Sequence, residues 1–181
     1  MSLKNIEVRN LDSNKKNEIL SVVNELISKN GEQVVNLDLR STTADFQSAM
    51  EIIEPVHKSN NVDFHINVSG EIDMAGTIIT AAGKPGERIA SQSTTFRLST
   101  TPYPKGSSVK DLNATDKNTF TILSQLTGKK TQILDSILKG VSIDANQAKK
   151  CKIIDKVEGF KSKYRNTKRN TATGKPIRKI K

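Results

Sequence analysis

Residues 69–98, SGEIDMAGTIITAAGKPGERIASQSTTFRL, decide the fold. In the stretch just before them, apolar residues alternate with polar ones, which predicts a strand with one buried face. From Met74 the apolar spacing changes to that of one helical face, which predicts a helix. Gly83 suits the left-handed position past the end of that helix. Residues 94–98 predict the next strand, so the segment is strand, tight turn, helix and strand.

The rest of the chain continues this alternation. The helical and strand patterns, with their capping and stop residues, predict strands at 5–11 and 34–39. They also predict a helix capped by Ser13, a helix that starts with a capping box at Thr42, and two helices near residues 116 and 131. The second of these helices is expected to stop at Pro55. Strands that alternate with helices form right-handed βαβ units. The predicted fold class is therefore α/β with a mostly parallel sheet, in one domain over residues 1–158.

A family resemblance is visible in residues 70–88. They contain the run Gly70-x-x-x-Met74-x-Gly76, then an Ala-Ala-Gly, and then a Gly-x-Arg turn that ends at Arg88. It resembles the segment of the ClpP family, the proteolytic subunit of the Clp protease, that holds the nucleophilic serine. Residues 143–157 also resemble that family's Leu-Ser-Ala to Gly-Leu-Ile-Asp ending. The wider ClpP/crotonase superfamily shares these features, and the resemblance implies repeated βαβ units over residues 5–158.

The resemblance also implies a catalytic serine, histidine and aspartate with a Gly-Gly turn for the oxyanion. Matched by position, the serine falls on Met74, the histidine on Ser99 and the aspartate near Ser136, while the Gly-Gly pair falls near Arg40 and Ser41. A thioether has no proton to lose, and a serine hydroxyl is no base near neutral pH. Side chains at the Gly-Gly position would crowd a bound peptide. We therefore predict that the chain is not an enzyme.

Asp73 leaves one catalytic alternative open. It precedes the helix that begins at Met74, and a helix N-terminus favours negative charge, so a crotonase-like acid or base role is an alternative. The simpler hypothesis, which we favour, is that Asp73 is the N-cap of this helix. The chain has two histidines, His57 and His65, and neither falls at the position of the catalytic base.

Composition predicts a protein without a cofactor, a metal or a membrane anchor. A single cysteine excludes an internal disulfide and a cysteine-based zinc site. The sequence has no phosphate-binding Gly-x-x-x-x-Gly-Lys loop and no His-x-x-x-His pair. It also has no apolar run of about 18 residues and no signal peptide. These features predict an unexported, cytoplasmic protein, or a virion protein if the chain is encoded by a phage.

The positive charge of the chain lies in residues 159–181, here called the basic arm. Nine of the 29 basic residues and no acidic residue lie there, which leaves 20 basic against 19 acidic residues in the body. We predict a flexible arm that binds nucleic acid or an acidic protein surface, and a solubilising tail is the plain alternative. The predicted binding residues are Lys161, Lys163, Arg165, Lys168, Arg169, Lys175, Arg178, Lys179 and Lys181.

Together these features predict a non-catalytic ClpP-like subunit, an oligomeric and ring-forming structural or adaptor protein. Phages encode ClpP-like head-maturation proteases and virion proteins use basic arms, so a virion component is one setting by association. Two alternatives stay open: an inactive companion subunit of an active Clp ring, and a crotonase-like enzyme that uses Asp73. The chain enters its first strand at Asn5 without the loop that docks the Clp ATPase, so that ATPase is not an expected partner.

Overall fold

Helices and strands alternate along the chain in the computed structural model, which describes residues 3–159. The strands are β1 (Leu3–Asn10), β2 (Gln33–Thr43), β3 (Val62–Ser69), β4 (Glu71–Ile72), β5 (Arg88–Ser91), β6 (Thr95–Arg97), β7 (Ser142–Asp144) and β8 (Lys156–Glu158). The helices are α1 (Ser13–Ile27), α2 (Phe46–Lys58), α3 (Met74–Ala81), α4 (Ala114–Thr127), α5 (Lys130–Lys139) and α6 (Ala145–Lys150). A short 3-10 turn covers Val109–Asp111.

Two sheets organise the described residues. The larger sheet has five strands in the order β1-β2-β3-β5-β8, and every neighbouring pair is parallel. The smaller sheet has the order β4-β6-β7, in which β4 is parallel to β6 and β6 is antiparallel to β7. This topology confirms the predicted α/β class and the mostly parallel sheet.

The helices that connect the large sheet cover only one of its faces. From β1 to β5 each right-handed connection moves to the next strand in the same direction, so α1, α2 and α3 lie on the same side. On that side Phe64, Ile66 and Val68 of β3 are at most 3% exposed. Val34 on the other side, here called the open face, is buried, but the other side chains there are partly or fully exposed: Leu3, Asn5, Glu7, Arg9, Asn36, Asp38, Arg40, Asp63, His65, Asn67, Ile89, Ser91, Lys156 and Glu158.

Helix caps differ in detail from the sequence prediction. The N-cap of α1 is Asp12, whose carboxylate accepts a hydrogen bond from the Lys15 N–H at 2.8 Å. The N-cap of α2 is Asp45, which accepts from the Ser48 N–H at 2.8 Å. The predicted capping box at Thr42 is wrong because β2 continues through that residue. Asp12 is one residue before Ser13, and Asp45 is three residues after Thr42. In both helices the aspartate accepts a hydrogen bond from a backbone N–H of the first turn that has no partner within the helix.

Two predicted helix ends are also wrong. Helix α2 continues through Pro55 to Lys58, because a proline in the last turn lacks only its own N–H, and its carbonyl still accepts from the Ser59 N–H at 3.0 Å. Gly83 does not have a positive φ. It is needed for space, since a Cβ there would lie 2.9 Å from Cδ1 of Ile66. The turn after α3 therefore packs directly on β3.

The helices of residues 3–159 give no sign of a membrane span. None of them is both long enough and apolar enough to cross a bilayer.

Candidate functional site

The candidate site lies where the C-terminal end of β2 meets the start of α3. Asp73 is the N-cap of α3, and Met74, half-buried, is its first residue. Asp73 Oδ1 accepts hydrogen bonds from the Gly76 N–H at 2.8 Å and from Thr42 Oγ1 at 2.9 Å. Its Oδ2 accepts a third bond from the Ala44 N–H. These contacts support the N-cap hypothesis, because Asp73 ties α3 to β2 with both carboxylate oxygens.

The motif glycines are required by the close approach of β2. A Cβ at Gly76 would lie 2.3 Å from Thr42 Oγ1, and a Cβ at Gly70 would lie 2.2 Å from Ser41 Oγ. Ser41, at the position matched to the oxyanion turn, has a positive φ of 46°, a conformation that favours glycine. Its Oγ accepts from the Glu71 N–H at 3.4 Å. The Ser41 side chain therefore lies against the Gly70 turn.

Arg40, the other residue matched to the oxyanion turn, turns back along its own strand. Its guanidinium binds the carboxylate of Asp38 at 2.5 Å and lies 4.0 Å from that of Glu7. Both carboxylates belong to the open face. The structure thus places Arg40 on the open face and Ser41 against the start of α3.

The positions matched to the histidine and the aspartate lie in different clusters. Ser99 is fully buried, and its N–H donates to the Val141 carbonyl at 3.3 Å. Ser136 lies on α5, where its Oγ is 3.4 Å from Cys151 Sγ and accepts from Gln147 Nε2 at 3.2 Å. No hydrogen bond joins Ser99 to Ser136 in the described structure. The neighbour of Ser99 is instead Val141, just past the end of α5.

Cys151 is a packed thiol. It is buried, and this burial raises the pKa of the thiol, against hydrogen bonds with Ser136 and Gln147 that lower it. A thiol with a raised pKa is mostly protonated near neutral pH and is a poor nucleophile.

The two histidines lie away from the start of α3. His65 is on the open face, opposite Asn36 in the sheet, and its Nδ1 is 3.9 Å from a carboxylate oxygen of Glu87. His57 is in the last turn of α2. Among residues 3–159, no hydrogen bond joins either histidine to a serine.

Arg88 and Asp155, which belong to the two motifs that carry the resemblance, form a buried ion pair. The pair is bidentate, with Nε at 2.8 Å and Nη2 at 2.7 Å from the two carboxylate oxygens. The Gly86 N–H donates to the same carboxylate at 2.7 Å. Burial alone would raise the pKa of Asp155, but the hydrogen bonds from Arg88 and Gly86 outweigh it and hold this pKa below its usual value. The motif arginine is therefore a structural residue that joins β5 to the start of β8.

Asp116 is a buried aspartate whose role the sequence did not predict. It lies on α4 with no exposed surface, and it accepts hydrogen bonds from the Thr100 N–H at 2.8 Å, Tyr103 Oη at 2.6 Å and Asn113 Nδ2 at 3.1 Å. Burial, together with the bond to Asp116, raises the pKa of Tyr103. Asp116 therefore anchors the irregular segment 99–113 to the body. A single aspartate in a helix gives no sequence signal of this role.

Two grooves open on opposite sides of the large sheet. The first, here called the apolar groove, has a volume of about 620 Å³ and lies among α2, α3 and α4, with Met50, Ile53, Ala82, Ile122 and Leu126 in its wall. The second, of about 360 Å³, lies on the open face at the C-terminal ends of β2, β3, β5 and β8. Residues 3–159 contain no group of three or more histidine, cysteine, aspartate or glutamate side chains placed to hold a metal ion.

Comparisons with known proteins find similarity at the level of structure alone. No protein-family model and no curated protein matches the sequence. A peptidase from Plasmodium falciparum has a TM-score of 0.65 at 17% identity, over 85% of this chain and 94% of that chain. The ClpP protease catalytic domain from Plasmodium falciparum has a TM-score of 0.68 at 17% identity, over 87% of this chain and 86% of that chain. The chain has a ClpP-like fold.

The comparison corrects one prediction. A third similar structure, described only as an enzyme, has a TM-score of 0.64 at 17% identity, over 85% of this chain and 94% of that chain. The prediction that the chain is not an enzyme is wrong, because the neighbours of this ClpP-like fold are named as a peptidase, as a protease catalytic domain and as an enzyme. The presence of Met74 and Ser99 at the positions matched to the catalytic serine and histidine is not enough to exclude enzymatic activity.

The predicted binding residues of the basic arm, from Lys161 to Lys181, lie outside the described residues. The division of the chain into a body and an arm therefore stays a prediction.

Proposed function

We propose that this chain is a subunit of a homo-oligomeric, ring-forming ClpP-like assembly and that its basic arm binds nucleic acid. The open face is the observation that supports the proposed assembly. Parallel sheets are nearly always covered on both faces. This sheet has α1, α2 and α3 on one face, and most side chains of the other face remain partly or fully exposed in residues 3–159.

A second copy of the chain is the occupant that suits the open face best. The face carries both signs of charge in close pairs, with Arg9 Nε 2.7 Å from Glu7 and Arg40 Nη2 2.5 Å from Asp38. A phosphate backbone on this face would meet carboxylates, whereas a polar protein surface of mixed charge meets complementary groups. The family resemblance supports a ring as the closed arrangement of such copies.

The basic arm supports the second part of the proposal. Its nine basic residues have no acidic residue among them, while the body is nearly neutral. Lysine and arginine side chains bind phosphate backbones by releasing condensed counterions, which needs neither a folded pocket nor a fixed sequence. Neither assembly nor nucleic-acid binding excludes peptide hydrolysis by the same chain.

The variant Asn67→Arg is expected to break the assembly into smaller species. Asn67 is exposed near the centre of the open face, directly opposite Asp38. A guanidinium there would have to share the Asp38 carboxylate with Arg40, and burying this excess charge in an interface costs about 3 kcal/mol, or roughly a hundredfold in association. Mass photometry over a concentration series measures this shift.

The matched control is Asn24→Arg, the same change at an exposed position of α1. It is expected to keep the wild-type mass distribution, and circular dichroism checks that both variants fold. If Asn67→Arg assembles as the wild type does, the open face is not the interface.

A further inference from the structure

The outer edge of β1 is free along the length of the strand. Among residues 3–159, β1 pairs only with β2, so it forms one border of the large sheet. Every residue of β1 except Ile6 and Val8 is exposed. The opposite border is β8, which has only three residues. The long free edge of this sheet is therefore β1.

β1 lacks most of the features that keep an edge strand from pairing. Protected edge strands are usually very short, interrupted by proline or a bulge, or charged on the inward face. β1 has eight residues and no proline, and Lys4 is its only charge on the face that the helices cover. Its register with β2 is regular from Leu3 to Val8. Alternate residues of such a strand direct N–H and C=O groups away from the sheet, where a further strand can bind them.

The side chains of β1 limit how a second copy can pair with it. In an antiparallel pair, directly opposite residues lie on the same face of the sheet. The open face carries the odd-numbered residues of β1 and the helix-covered face carries the even-numbered ones. A two-fold pairing of β1 with itself therefore has its axis at one residue, which faces the same residue of the other copy.

Charge selects Ile6 as the position of the axis. The longest pairings that β1 allows join residues 3–9 about Ile6 or residues 4–10 about Glu7. The axis at Glu7 places two carboxylates directly opposite each other, which is destabilising. The axis at Ile6 brings no like charges opposite each other. Its pairs on the open face are Leu3 with Arg9 and Asn5 with Glu7.

We propose that β1 pairs antiparallel with β1 of a second copy, with the two-fold axis at Ile6. This inference rests on the homo-oligomer proposed above and adds a second interface to it. Asn5 suits the pairing, because its Oδ1 accepts from Asn36 Nδ2 at 2.8 Å and its own Nδ2 can donate to the Glu7 carboxylate of the other copy. Leu3, which is 54% exposed, is covered by the aliphatic part of the opposite Arg9.

Edge pairing and packing of the open face use different groups of β1. Pairing uses main-chain N–H and C=O groups at the border of the sheet, whereas the open face presents side chains that stand out from the sheet. A two-fold contact needs a patch that is complementary to itself, which β1 provides in the register about Ile6. The strand of a second copy is therefore the occupant that fits this edge.

Disulfide trapping in the full chain tests the pairing. The variant Asn5→Cys/Glu7→Cys places cysteines opposite each other on both sides of the axis, with about 4.5 to 5.5 Å between their Cα atoms, a separation that a disulfide spans. Mild oxidation is expected to convert most of this variant into a covalent dimer on a non-reducing gel. The native Cys151 is buried and does not compete.

The matched control is Glu7→Cys/Arg9→Cys, which has the same spacing of cysteines. About an axis at Ile6 these cysteines face Asn5 and Leu3 of the other copy, so the control is expected to give at least tenfold less covalent dimer. Circular dichroism checks that both variants fold. Equal yields in the two variants, or a higher yield in the control, would overturn the inference.

The same trapping in the Asn67→Arg background separates edge pairing from the open-face interface. Asn67 lies on β3, so this background is expected to keep the covalent dimer, with twice the chain mass of 19.9 kDa. Loss of the dimer there would overturn the inference of a separate edge contact. An oligomeric wild type whose Asn5→Cys/Glu7→Cys variant gives no dimer would overturn the edge pairing and leave the proposed assembly in place. A monomeric wild type at every concentration would refute both.

Discussion

Replacing all nine basic residues of the arm with glutamine is expected to weaken binding to duplex DNA by a thousandfold or more. A protein with about 6 to 10 phosphate contacts loses roughly 10³ to 10⁵ in affinity between about 50 and 200 mM salt. If every arm charge meets a phosphate, the wild-type salt slope is about −8. Fluorescence anisotropy over a salt series gives both the affinity and the slope.

The control for the arm variant keeps the positive charge but replaces the ammonium groups that carry it with guanidinium groups. Changing the arm lysines to arginine preserves the number of positive charges, so the slope is expected to stay at the wild-type value. A loss of affinity in this control would mean that the arm recognises its partner by shape. Unchanged binding of the glutamine variant would exclude the arm as the binding segment.

The variant Arg88→Met is expected to lower the free energy of unfolding by about 3 to 5 kcal/mol. Breaking a buried ion pair on one side leaves the other charge without a partner, and this is the main cost. Arg88 is 4% exposed and its partner Asp155 is mostly buried. Urea denaturation followed by circular dichroism measures the loss.

The matched control for this variant is Arg97→Met. Arg97 is exposed on β6 and donates only a 3.4 Å hydrogen bond to the Ser99 carbonyl. Its replacement is expected to change stability by about 0.5 kcal/mol or less. Equal losses in the two variants would contradict the structural role of the Arg88 pair.

The cost of Arg88→Met is also expected to depend on pH. The pKa of Asp155 in the folded protein lies below its usual value of 3.8. A carboxylate with a lowered folded pKa contributes stability that is fully present above the unfolded pKa and is lost as the pH falls through the folded pKa. The difference between wild type and Arg88→Met is therefore expected to be largest near neutral pH and to shrink below about pH 4. A difference that grows on acidification would contradict this assignment.

The order of helices and strands follows from the sequence because local patterns specify it. Alternation in β3 and helical spacing from Met74 are short-range signals, and the right-handed connection rule then orders the sheet. The separate strand β5 was not predicted. Residues 88–91 are too short and too close to a turn for a period of two to be visible, and pairing with β3 and β8 defines them.

The site was predicted less completely because its contacts are long-range. The N-cap role of Asp73 follows from its place before a helix, but its bonds to Thr42 and the Ala44 N–H join segments about 30 residues apart. Asp116 was missed because its partners, Thr100 and Tyr103, lie in an irregular segment.

The mass of the wild-type protein in solution is the decisive test of homo-oligomeric assembly. Sedimentation velocity at physiological salt, over a wide range of protein concentration, measures the mass without any substitution. We expect a closed assembly of several copies, whose mass is an integer multiple of 19.9 kDa, the mass of one chain. A single species of 19.9 kDa at every concentration would contradict it.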